Sequence, residues 1–142
     1  MKQSIRIFSI VLAIIMTISS LALVTEAAEE RASLFFAGYS VYLWEPTDEA
    51  WFEVTAVSQM DVLGASEIKI ERSTDQINWT TVKTFDMDDY SQMTANSKVT
   101  YANCVPYTFA DGYYYRGVVT LYAKKGNNVG KSTVVTPTLD KR

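Results

Sequence analysis

The sequence predicts an all-β protein, an antiparallel two-sheet sandwich of about seven strands preceded by a signal peptide. Three observations carry this. Segments rich in Val, Ile, Thr, Tyr, Phe and Trp recur along the chain, several of them alternating apolar and polar residues with the period of a half-buried strand. Clusters of Pro, Asp, Asn, Ser and Gly separate these segments at short intervals, as turns do. Beyond the leader, no stretch places apolar residues at helical spacing and no segment repeats. A small barrel is the competing way to close such strands.

Residues 1–27 stand apart from that pattern. Lys2 and Arg6 make a basic start, "IFSIVLAIIMTISSLALV" (7–24) is an apolar run, and "TEAA" (25–28) offers small residues at the cleavage positions. That order of parts predicts a secretory signal peptide cleaved near Ala27. An uncleaved anchor is the alternative; Ser, Thr and Ala crowd the end of the run, and no basic stop-transfer cluster follows it. The expected domain is therefore residues 28–142, secreted and free of the membrane after cleavage.

Within it, "LFFAGYSVYLW" (34–44) is too short and too β-prone for a helix. "EPTDE" (45–49) reads as a turn around Pro46. "WFEVTAVS" (51–58) puts Phe52, Val54 and Ala56 on one face, and "SEIKIER" (66–72) does the same with Ile68 and Ile70. "STDQIN" (73–78) is a tight turn into "WTTVKTF" (79–85). A polar loop is expected over 86–97, then a short strand over 98–104. "ADG" (110–112) launches "YYYRGVVTLYA" (113–123), the strongest strand signal of the chain. A Gly/Asn turn (124–131) leads to a last strand, "STVVTPT" (132–138), where Pro137 suits an end or an edge. The expected core is Phe52, Val54, Ile68, Ile70, Val82, Tyr115, Val119 and Leu121.

Composition closes most catalytic routes. There is no histidine, which removes Ser-His-Asp and Cys-His nucleophiles and histidine-based zinc sites. Cys104 is the single cysteine, so no intramolecular disulfide staples the domain. Its plainest role is that of a small apolar residue near a strand end; an interchain pair or a reactive thiol is the alternative. Residues 28–142 hold 11 basic and 15 acidic side chains, a net charge of −4. That balance argues against nucleic acid, which demands a basic face.

Two resemblances follow from quoted motifs. "IKIERSTDQINWTTVKTF" followed by "DGYYYRGVVTLYAKKGNNVGKS" resembles fibronectin type III-like and immunoglobulin-like domains. There a mid-chain hairpin is followed by Gly-x-x-Tyr before the penultimate strand. Gly112 and Tyr115 match that spacing, and the resemblance implies that Tyr115 is a buried tyrosine corner. "RAS" (31–33), Met60 with Leu63, Gly64 and Ala65, the "STD…W" hairpin and "YRGVVTLYA" resemble small secreted proteins of Gram-positive anaerobic bacteria, grouped as a domain of unknown function. That likeness implies a stand-alone exported domain and supplies no site residues.

Four candidate chemistries remain. "STDQINW" shares Ser73, Asp75 and Trp79 with the sugar-enzyme Asp box, but has Ile77 in place of its glycine, is one residue short and occurs once. A hairpin turn capped by Asp75 and Asn78 is the better reading. Asp86, Asp88 and Asp89 are the metal candidate, because calcium takes several oxygens from one flexible loop. The glycine and distal glutamate of an EF-hand are lacking, and a solvated acidic loop is the alternative. No other cofactor is expected. Paired carboxylates could serve a small hydrolase, yet the acids fall on outward or turn positions. The aromatics are the strongest signal. Trp44, Trp51, Tyr114 and Tyr122 fall out of step with the inward set and are the candidate partner-binding residues. The expected function is a secreted, non-enzymatic protein-binding or self-association module. The alternative is a carbohydrate-binding module using the same rings on a polysaccharide.

Overall fold

A computed structural model describes residues 34–142; the expected signal peptide lies outside them. Seven antiparallel strands follow in order: β1 (Phe36–Trp44), β2 (Glu49–Ser73), β3 (Thr80–Asp86), β4 (Thr94–Pro106), β5 (Tyr114–Lys125), β6 (Asn128–Val135) and β7 (Leu139–Asp140). The all-β, antiparallel expectation is what the chain adopts. Among the described residues no helix is long and apolar enough to cross a membrane.

β2 organises the sheet. Two segments expected as separate strands, 51–58 and 66–72, belong to this one 25-residue strand. Its first half lies between β1 (Trp44 opposite Glu49, Tyr42 opposite Trp51) and the end of β4 (Pro106 opposite Glu49, Cys104 opposite Trp51). Its second half lies between β5 (Ile70 opposite Gly117) and β3 (Ile68 opposite Phe85). β6 adds to β5 through a hairpin at Gly126, and β7 pairs with the start of β5.

Inward residues alternate along β2 but change phase twice. Phe52, Val54, Ala56 and Met60 are buried, then Leu63 and Ala65, then Ile68 and Ile70. The first shift, between Met60 and Leu63, comes after the register break against β4 between Thr55 and Met60, and the second falls at the break against β5 between Ala65 and Glu67. A bulge adds one residue and turns the following side chains to the other face. Between the breaks, Gly64 lets the backbone at Met93 and Thr94 cross over it: a Cβ there would overlap the Met93 carbonyl oxygen.

Seven of the eight expected core residues are buried, and Val82 packs partly buried against them. Met60, Leu63, Phe85, Met93, Val105 and Phe109 complete the same cluster. Tyr115 is fully buried, and its hydroxyl bonds the backbone of Ala110. With no disulfide, burial of these side chains is the main stabilising term, at about 1.5–3 kcal/mol for each large one.

The expected polar loop 86–97 is shorter than its composition suggests. Asp86 and Tyr90 close a turn, a 3₁₀ turn spans Ser91–Met93 with Met93 buried, and β4 already begins at Thr94. The polar residues Asn96, Ser97 and Lys98 form a strand because β4 bonds only β2 and leaves its side chains to solvent there.

Candidate functional site

The β1–β2 hairpin builds the most concentrated group of exposed aromatics. Pro46 fixes the first turn of the 3₁₀ segment Glu45–Thr47, and Asp48 adopts a left-handed conformation (φ 55°) with its N–H donating to the Glu45 carbonyl. That connection sets the register. Tyr42 on β1 therefore stands beside Trp51 on β2, with Trp44 opposite Glu49.

The rings are arranged at defined angles. Tyr42 and Trp51 are parallel (centroids 6.2 Å apart, 6° between planes), while Tyr42 and Trp44 meet edge to face at 6.2 Å and 80°. Tyr42 and Trp44 are well exposed and Trp51 is half-buried. Together with Thr47 and Glu49 they line an open depression of about 230 Å³.

Glu49 is the polar centre of this notch. Its Oε2 accepts the Thr47 hydroxyl at 2.5 Å and the Trp51 indole N–H at 3.0 Å. These donors, Thr47 first, hold the carboxyl below its ordinary value, so it is ionised at neutral pH. Cys104, beside Trp51 on β4, is pushed the other way. Partial burial is the larger cause and the neighbouring Glu49 carboxylate the next, so the thiol stays protonated.

Of the four aromatics singled out in the sequence, the structure brings Trp44 and Trp51 together. Tyr122 sits on β5 opposite Gly64, with Lys131 5.8 Å from its ring centroid. Tyr114 requires a correction. Its position was expected to be outward, and it is buried (7 % exposed). β7 folds back beside it, Tyr114 pairing with Asp140, and the Arg142 guanidinium covers its ring at 4.1 Å. Tyr42 joins Trp44 and Trp51: it shares the parity of Trp44 on β1, and the hairpin register sets it opposite Trp51.

The acidic loop is not gathered around a point. Asp86 Oδ1 accepts the Asp88 N–H at 2.9 Å, closing its own turn, and among the described residues no group of three or more His, Cys, Asp or Glu converges as a metal site. The "STDQINW" stretch is a capped turn. Ser73 Oγ accepts the N–H groups of Asp75 and Gln76, and Asp75 accepts those of Ile77 and Asn78. The left-handed position falls on Gln76 (φ 60°). Trp79 then folds back, donating to the Gln76 carbonyl at 3.1 Å.

No protein-family model matches the chain, and no curated protein or solved structure matches it either.

Proposed function

We propose that the chain is an exported, non-enzymatic binding module that engages a protein partner through the aromatic notch of the β1–β2 hairpin. One observation carries this reading: Tyr42, Trp44 and Trp51 converge with an ionised Glu49 on an exposed surface of the sheet. Clustered Trp and Tyr with a polar anchor is the composition of an interface centre. The sheet, on this reading, folds along β2 into two layers of the fibronectin type III or immunoglobulin kind. The Tyr115–Ala110 bonds support that reading, being the geometry of a tyrosine corner.

Light scattering and partner capture from the producing culture test the role, each with the protein and its Trp44→Ala variant. Association that weakens in the variant supports the proposal. A strict monomer that retains no partner and is indifferent to Trp44→Ala counts against it. A second reading, a carbohydrate-binding module, draws on the parallel Tyr42 and Trp51 rings, which could stack on a sugar. Quenching of tryptophan fluorescence by neutral oligosaccharides would favour it over a protein partner.

A further inference from the structure

Elsewhere several aromatic rings lie under the chain's own cations. Arg72 lies 4.4 Å from the Tyr113 centroid, Arg142 lies 4.1 Å from that of Tyr114, and Arg116 lies 4.3 Å from that of Trp79. The last is the most complete case. Arg116 Nε also donates to Glu71 Oε2 at 2.7 Å, so an indole, a guanidinium and a carboxylate form one closed unit.

The notch repeats two parts of that unit and lacks the third. Trp44 and Trp51 supply the indoles and Glu49 the carboxylate, and among the described residues no Lys or Arg pairs with Glu49 or lies over these rings. Glu53 follows Trp51 by two residues and so points to the same side of the strand. The cross-strand neighbours of Glu49 are Trp44 and Pro106, and those of Glu53 are Ser40 and Ala102. None is basic. The face therefore presents two carboxylates and three π-systems with no internal counter-charge along these ladders.

Ring geometry favours the same chemistry. An aromatic face is the negative part of its quadrupole, and a cation placed over it is attracted. Trp51 donates its indole N–H to a carboxylate, which polarises the ring toward greater electron density on its face. The perpendicular Trp44 adds a second wall, and about 230 Å³ accommodates an ammonium or guanidinium group with its last methylenes.

We infer that this notch takes the ammonium or guanidinium group of a lysine or arginine side chain presented by a partner protein. Glu49 is its counter-ion, the Tyr42, Trp44 and Trp51 rings form its walls, and Glu53 attracts flanking positive charge. The inference rests on the reading of this face as a binding surface and names the chemistry it reads.

Nuclear magnetic resonance of the Trp51 indole N–H, identified by its loss in Trp51→Phe, tests it directly. The protein is titrated with N-acetyl-lysine methylamide, with tri-lysine, with the uncharged isostere N-acetyl-norleucine methylamide, and with cellotriose. The expected result is a saturable shift with both lysine compounds, tighter for tri-lysine, and none with the norleucine compound. Glu49→Gln, checked for an unchanged backbone amide spectrum, weakens binding roughly tenfold, the equivalent of one charge-assisted contact. Added salt weakens it further. Equal response to the lysine and norleucine compounds overturns the inference. So does a shift with cellotriose alone, which leaves the face a binding surface for sugars. No response to any probe also overturns it, and together with failure of Trp44→Ala to alter partner capture removes the binding face itself.

Discussion

The Tyr115 hydroxyl engages both polar groups of Ala110, accepting its N–H at 3.1 Å and donating to its carbonyl at 3.3 Å. The ring sits fully buried against Tyr107, Phe109 and Tyr113, so the bonds pin the turn before β5 to the core. Tyr115→Phe keeps the packing and leaves Ala110 without these partners. A loss of about 1–3 kcal/mol in unfolding free energy is expected, measured by urea titration. A change below about 0.5 kcal/mol would mean that water satisfies Ala110 equally well.

Gly64 and Gly38 make a matched pair of tests. Gly64→Ala forces a methyl into the Met93 carbonyl and the Thr94 backbone, neither of which can swing aside. The cost should reach about 3 kcal/mol or more. Gly38 has open space where its Cβ would be, so Gly38→Ala should lie within about 0.5 kcal/mol of the parent. Thermal unfolding of both variants by circular dichroism decides the comparison.

Asp75 gives a pH signature. The Asn78 backbone N–H, the Asn78 side chain and the Ile77 N–H hold its carboxyl well below the ordinary aspartate value of 3.8. A carboxylate depressed in the folded state stabilises above the unfolded value, and that contribution fades as pH falls toward the folded one. Asp75→Asn should therefore lower the melting temperature at neutral pH, and the gap from the parent should narrow only below about pH 3.8. A gap that is constant down to strongly acid pH would assign the effect to shape alone.

Cys104 reports on Glu49. Since partial burial and the Glu49 carboxylate both disfavour the thiolate, alkylation by iodoacetamide at neutral pH should be slower than for a free cysteine. Glu49→Gln should speed it. An unchanged rate would show that burial alone governs the thiol.

Much of this was legible in local pattern, and what was missed has identifiable causes. Ile68 and Ile70 alternate with Glu67, Lys69 and Glu71, so that part of β2 is plain in the sequence. Its continuity from Glu49 is not, because the alternation reverses twice, between Met60 and Leu63 and again at the bulge between Ala65 and Glu67, and Gly64 imitates a turn while serving a backbone crossing. The start of β4 reads as loop because an outer strand can be polar on its exposed face. Tyr114 follows the outward parity of β5, and the return of residues 139–142 covers it. In the notch, the outward parity of Trp44 and Trp51 is legible in the sequence. Tyr42 and Glu49 needed the hairpin register, which the Pro46 turn determines.

The length of β2 has a kinetic consequence. β1, β3, β4 and β5 all hydrogen-bond to it, and its ladders join residues as distant as Glu49 with Pro106. The ladders of β2 with β4 and β5 cannot form before those remote segments arrive, a topology associated with slow folding. Once formed, the central amides of β2 around Leu63 and Ile68 have no cheap local opening. They should exchange with solvent deuterium only through global unfolding, later than amides in β1 and β6.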